Sequence, residues 1–294
     1  MTKFRGNYTV MVTPFSDDGS SVDEGRLRKF VDWQIKEGVH GLIPLGSTGE
    51  FLSQTDEERT RVAEIVISEA AGRVPVLVGT AAEWTNECVR YTKEAEQLGA
   101  DGVMIVPPYY SSPTEDELFE HYRRVGEAVS IPIMIYNNPF TSNVDLKPHV
   151  VARLSEIDNV SYIKESSGDV ARVCEIQRLC GERMTVFAGY LPFESYAVGA
   201  EGYVAVCSNI APKMAADLFT MVADDGNIEG ARKLYFKLLP LIHALAGDLY
   251  VSATKAALKL AGVPVGPPRP PRLPLPAEKN ENLKEVLAEL GLLA

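Results

Sequence analysis

Eight short apolar runs, each closing on a Gly, Pro or polar turn, recur along this chain, and they leave little room for any architecture but an alternating α/β one. They cover residues 8–12, 41–45, 74–78, 102–106, 131–136, 160–164, 185–188 and 202–207. The runs are apolar throughout rather than alternating, as parallel strands covered on both faces are. Amphipathic segments lie between them, among them 23–37, 56–71, 85–98, 115–128 and 171–180. Ser53 and Thr55 offer an N-cap to the second of these, and acidic residues fill its first turn. Eight β-then-α units with no break in composition predict a (β/α)8 TIM barrel over residues 1–210. A doubly wound sheet is the competing arrangement, but no GxGxxG follows the first strand. Beyond the eighth run, 212–222, 227–246 and 252–261 read as helices, and so does 280–290. Segment 266–276 (GPPRPPRLPLP) has too many prolines for a regular ladder and is expected to be extended. Residues 211–294 are therefore expected as a helical extension packed on the barrel.

The 294 residues suit such a fold, which typically takes about 250. A chain of this length buries enough core to need no staples. Its formal net charge of −11, dispersed along the chain, argues against a nucleic-acid partner, which calls for a basic stripe. It leaves a small anionic substrate open, because a pocket can be locally positive. Cys88, Cys174, Cys180 and Cys207 form no CxxC pair and have no histidines at zinc spacing, so a reduced compartment is expected. The first eight residues lack the apolar stretch of a secretory signal. No apolar run approaches the roughly 20 residues that span a bilayer. A cytoplasmic protein without a membrane partner is the expectation.

Chemistry in a barrel gathers where the strands end. Lys164 closes the run Val160, Ser161, Tyr162, Ile163, which aims its amine at the barrel mouth. Burial there disfavours the ammonium and makes a nucleophile of the amine; the bland alternative is a strand-end lysine paired with Glu165. Tyr136 ends the preceding run, and its hydroxyl either relays protons or sits at the rim of a packed ring. Gly46, Ser47, Thr48 and Gly49 offer amides and two hydroxyls suited to a carboxylate, or merely a tight turn into a capped helix. Tyr109 and Tyr110 follow two prolines in a rigid aromatic turn. The four histidines form no metal pair, Ser47 lacks a GxSxG setting, and no P-loop is present. A pair of acids flanking a sugar remains open, with Glu50 and Glu165 near strand ends.

These motifs together, in order and at barrel spacing, resemble the dihydrodipicolinate synthase/N-acetylneuraminate lyase family. They are VTPF at 12–15, GSTGE at 46–50, PPYY at 107–110, YNNP at 136–139, YIKESSGD at 162–169 and RLPLP at 272–276. The resemblance implies a lyase that forms a Schiff base with pyruvate or another 2-oxo acid and needs neither metal nor organic cofactor. It implies that Lys164 forms the imine and that Tyr136 relays protons over it. Ser47 stands where the family usually has a threonine of the relay, and Ser47 with Thr48 matches the group that holds the 2-oxo acid carboxylate. Tyr110 matches the tyrosine that enters a neighbouring subunit's site, which implies a homodimer or tetramer. Gly189 and Val204 match positions lining the pyruvate pocket.

One departure bears on the second substrate. Members that condense pyruvate with aspartate semialdehyde resemble YNVPxRT after the fifth strand, whereas here Thr141 occupies the arginine position. A hydroxyl does not replace a bidentate cationic fork. The expectation is therefore an aldolase or dehydratase of a 2-keto-3-deoxy sugar acid or a related hydroxylated 2-oxo or imino acid, with Asn138 and Thr141 meeting its hydroxyls. The synthase reaction is the alternative, and a non-catalytic 2-oxo acid binding protein is the alternative of another class.

Overall fold

The computed structural model describes residues 3–294. Strands and helices alternate as the eight-fold pattern requires. The strands are β1 Gly6–Val10, β2 Gly41–Ile43, β3 Leu77–Gly79, β4 Gly102–Ile105, β5 Ile133–Asn137, β6 Val160–Glu165, β7 Thr185–Ala188 and β8 Gly202–Ala205. The helices are α1 Glu24–Lys36, α2 Asp56–Ala70, α3 Thr85–Gln97, α4 Glu115–Gly126, α5 Pro139–Ser142, α6 Pro148–Leu154, α7 Ala171–Cys180 and α8 Pro192–Ala197. Four more follow: α9 Pro212–Ala223, α10 Ile228–Ala244, α11 Tyr250–Leu260 and α12 Ala277–Leu290. Segment 266–276 contains neither helix nor strand. Among the described residues, no helix is long and apolar enough to cross a membrane.

The chain forms two compact units. The first takes in the N-terminal residues through Gly6 and Pro75–Val204. Its strands pair in parallel in the order β8-β7-β6-β5-β4-β3. Ile105, Ile133, Ile135, Ile163 and Phe187 are fully buried, which is why these runs carry almost no polar residue away from their ends. Gly102 and Gly202 are glycines of close approach. A Cβ at Gly202 would lie 2.2 Å from the Phe187 ring, and one at Gly102 2.9 Å from the Pro132 carbonyl. In α4 the sequence writes its own start: Thr114 and Glu117 exchange side-chain and backbone bonds in a capping box.

The second unit comprises Asn7–Val74 and Ala205–Ala294. There β1 pairs with β2 in parallel, Thr9 opposite Leu42. Thr55 and Glu58 form the capping box of α2. A buried polar group ties the residues after β8 to β1. The Thr9 hydroxyl donates to Gln34 at 2.7 Å, Asn7 Nδ2 donates to Ser208 at 2.8 Å, and Asn209 Nδ2 donates to the Val10 carbonyl at 2.9 Å. Ser208 and Asn209 are fully buried in this network, so these two strand-end residues serve pairing rather than chemistry.

Candidate active site

Parallel register brings Lys164 opposite Tyr136 on one side and Phe187 on the other. Residues level with one another in a sheet share a face, so the amine, the tyrosine and, two residues beyond Phe187 and Gly202, Gly189 and Val204 lie on the same side. Lys164 is 5 % exposed, and its Nζ sits 3.9 Å from the centroid of the Tyr136 ring. Among the described residues no carboxylate pairs with it, and burial alone pulls its pKa from the ordinary 10.5 to about 7. The expected competing partner, Glu165, points to the other face. It accepts from Asn137 Nδ2 at 2.9 Å and from the Ser167 amide at 2.7 Å. Alternation along β6 thus separates the charged neighbours that the sequence places side by side.

Tyr136 is also buried, which pushes its phenol up to about 12 despite the hydrogen bond it accepts from Asn138 Nδ2 at 2.8 Å. It is a protonated phenol with a donor to spare near neutral pH. Asn138 Oδ1 is buried without a partner. Thr141 lies on α5, exposed, with its amide bonded to the Asn138 carbonyl at 3.2 Å. Ser142, the next residue, is buried and closes the turn by donating to the Asn138 carbonyl at 2.8 Å.

Two further residues, strand-end positions to which the sequence assigns no role, join this group. The Ser166 hydroxyl is buried and lies close enough to Tyr136 to ease its ionisation, yet makes no hydrogen bond of normal geometry. Gly189 explains its position: a Cβ there would fall 1.8 Å from Ser166 Oγ. Tyr190 is pushed up by burial and by Tyr136. The signal for Ser166 is its place two residues beyond Lys164, on the same face of the strand. For Tyr190 it is its place directly after the seventh run, at the end where the strands open on the barrel mouth.

Ser47 and Thr48 belong to the second unit, in a single 3-10 turn over Ser47–Gly49, with Thr48 buried and Ser47 half-buried. Leu45 and Glu50 flank it with φ of 59° and 58°, a left-handed conformation that non-glycine residues adopt only under constraint. Here the constraint is the Gly49 carbonyl, which accepts from the Thr13 hydroxyl and from Gln54 Nε2, both at 2.7 Å. Glu50 turns inward to Lys255 at 2.7 Å. Tyr110 is 90 % exposed. Among the described residues no group of three or more histidine, cysteine, aspartate or glutamate side chains is arranged to hold a metal ion.

An amine half-neutral at physiological pH, held beside a protonated tyrosine at the ends of parallel strands, is the equipment of a class I lyase on an α/β barrel. The model of the dihydrodipicolinate synthetase family matches residues 3–290, and the chain belongs to that family. It is 38 % identical over 292 residues to the 4-hydroxy-tetrahydrodipicolinate synthase of Thermodesulfovibrio yellowstonii, covering 99 % of both chains. A solved dihydrodipicolinate synthase from Acinetobacter baumannii, complexed with pyruvate, superposes with a TM-score of 0.96 at 34 % identity, over 99 % of this chain and 100 % of that one. A prophage protein of the same family from E. coli K12, also with pyruvate, gives 0.93 at 31 % identity, over 99 % and 100 %. Likeness at this level carries the (β/α)8 barrel with its C-terminal helices and the lyase class, and the binding-protein alternative falls.

Proposed function

We propose that this lyase condenses pyruvate with an aldehyde through an imine on Lys164, and that the aldehyde is aspartate semialdehyde, as the name of its curated relatives says of them. The neutral Lys164 amine attacks C2 of pyruvate and water leaves. The protonated imine acidifies C3, whose proton passes through Tyr136 to water; the enamine then adds to the aldehyde carbon, and the resulting alkoxide takes a proton back by the same path. Tyr136, protonated and 3.9 Å from the amine measured to its ring, is the proposed carrier of the protons. Ser47 and Thr48 are proposed, from the resemblance, as donors to the pyruvate carboxylate. The burial of Lys164, paired with no carboxylate among the described residues, is the observation that carries the imine chemistry. Full-length likeness to synthases carries the choice of aldehyde.

A second reading rests on Thr141 and Asn138. The semialdehyde brings a carboxylate, and an arginine fork would give it two charge-assisted hydrogen bonds of roughly 1.5–3 kcal/mol each. Thr141 cannot, and the unpartnered Asn138 Oδ1 suits a substrate hydroxyl. This favours cleavage or dehydration of a hydroxylated 2-oxo acid by the same enamine. Side-by-side kcat/KM values decide. If pyruvate with aspartate semialdehyde outperforms every 2-keto-3-deoxy acid and cyclic imino acid, the synthase stands; the reverse order removes it.

A further inference from the structure

Tyr110 is the most exposed large apolar side chain among the described residues, yet its backbone is firmly held. Pro107 and Pro108 supply no N–H, so the amides of the turn begin at Tyr109. One carboxylate takes all three that follow. Glu83 Oε2 accepts from Tyr109 at 2.8 Å and from Tyr110 at 3.0 Å, and Oε1 accepts from Ser111 at 2.9 Å. Although burial works against it, the Ser111 hydroxyl and these amides hold the Glu83 carboxyl below the usual range. Glu83 stands two residues before α3, one position ahead of the N-cap Trp84. That N-terminus has no side-chain cap, and Glu83 spends both oxygens on a loop 26–28 residues further on. Three charge-assisted bonds therefore set the direction in which a phenol is presented to water rather than to this chain's own core.

We propose that Glu83 is a positioning residue for the reaction, fixing the turn that carries the Tyr110 hydroxyl into the site of a second copy. This rests on the reading of Tyr110 as a residue shared between subunits. A reach error of about 1 Å in a reacting group can cost on the order of a hundredfold in rate, so a loosened turn should be read in turnover. The test needs no second substrate. Pyruvate in D2O, followed by proton NMR, reports how fast the assembled protein exchanges the C3 hydrogens through the enamine. Glu83→Gln keeps the shape but presents an amide NH2 to the Ser111 N–H, and Glu83→Ala removes the acceptor. Exchange should slow roughly tenfold to a hundredfold in Glu83→Ala and less in Glu83→Gln, with the Lys164 adduct still trapped by borohydride. In a Tyr110→Phe background the further effect of either substitution should shrink to about twofold or less, because a residue acting through Tyr110 has nothing left to act on. Equal losses in both backgrounds, or full exchange in Glu83→Ala while Tyr110→Phe is slow, overturn the proposal and leave the Tyr110 reading intact. Full exchange in Tyr110→Phe overturns both. If Glu83→Ala does not fold, the same comparison made with Glu83→Gln decides.

Discussion

Lys164 is a base whose folded pKa, about 7, lies well below its ordinary 10.5 because it is buried. Such a group binds its proton less tightly folded than unfolded, so the penalty of burying it is full below pH 7 and is relieved as pH rises from about 7 to 10.5. Two results should follow. The rate of borohydride-trapped adduct with pyruvate should climb between pH 6 and 8 with a midpoint near 7, and a profile flat to pH 9 would contradict the neutral amine. Lys164→Met should form no adduct and yet be more stable than the parent at pH 6, by about 0.5–2 kcal/mol in denaturant titration. Tyr136→Phe should bind pyruvate but turn over roughly 10²–10⁴-fold more slowly; near-normal turnover would remove the tyrosine from the proton path.

At the scale of elements, the 3-10 turn that holds Ser47 and Thr48 is braced by a segment more than two hundred residues away. Glu50 and Lys255 form a fully buried pair at 2.7 Å. Lys255 also donates to the Pro267 carbonyl at 3.0 Å, and the Arg269 amide donates to Glu50 Oε2 at 2.9 Å. Arg269 itself clasps Glu58 with both terminal nitrogens at 2.6 Å. Segment 266–276 has no ladder of its own, so these bonds stand in for one. Breaking the pair from one side leaves a charge buried alone: Lys255→Met should cost about 3–5 kcal/mol in unfolding free energy, and Glu50→Leu in addition should recover most of it. Losses that simply add would show that the two residues act separately. At the ends of β6 and β7, Gly189→Ala should destabilise by about 1–3 kcal/mol through overpacking, and Ser166→Ala in the same chain should return part of the melting temperature.

For the molecule as a whole, the exposed Tyr110 is proposed to enter the site of a second copy. Tyr110→Phe and Lys164→Arg should each be slow or inactive as homogeneous preparations, the latter because a guanidinium stays protonated. Mixed and reassembled, they should regain part of the parental rate, since some sites then combine an intact lysine with an intact tyrosine. A dilute monomer with full activity would refute sharing.

Most of the architecture is legible in the sequence. Strand and helix order follow from apolar runs and capping residues, which act over a few positions, and α2 and α7 were placed to within a residue. Helices α6 and α8 were not, being short segments whose stability comes from packing rather than from caps. Lys164, Tyr136 and the GSTG turn were readable because motif and strand end coincide. Three things were decided only by folding. Register, set by pairing between distant strands, put Ser166 beside Tyr136 and against Gly189. The pleat sent Glu165 away from Lys164, leaving the amine without a counter-charge among the described residues. Long-range hydrogen bonds committed Glu83 to the turn at 109–111 and Glu50 to Lys255. Each depends on which backbone lies next to which across tens to hundreds of residues, and a local pattern of side chains carries no record of that.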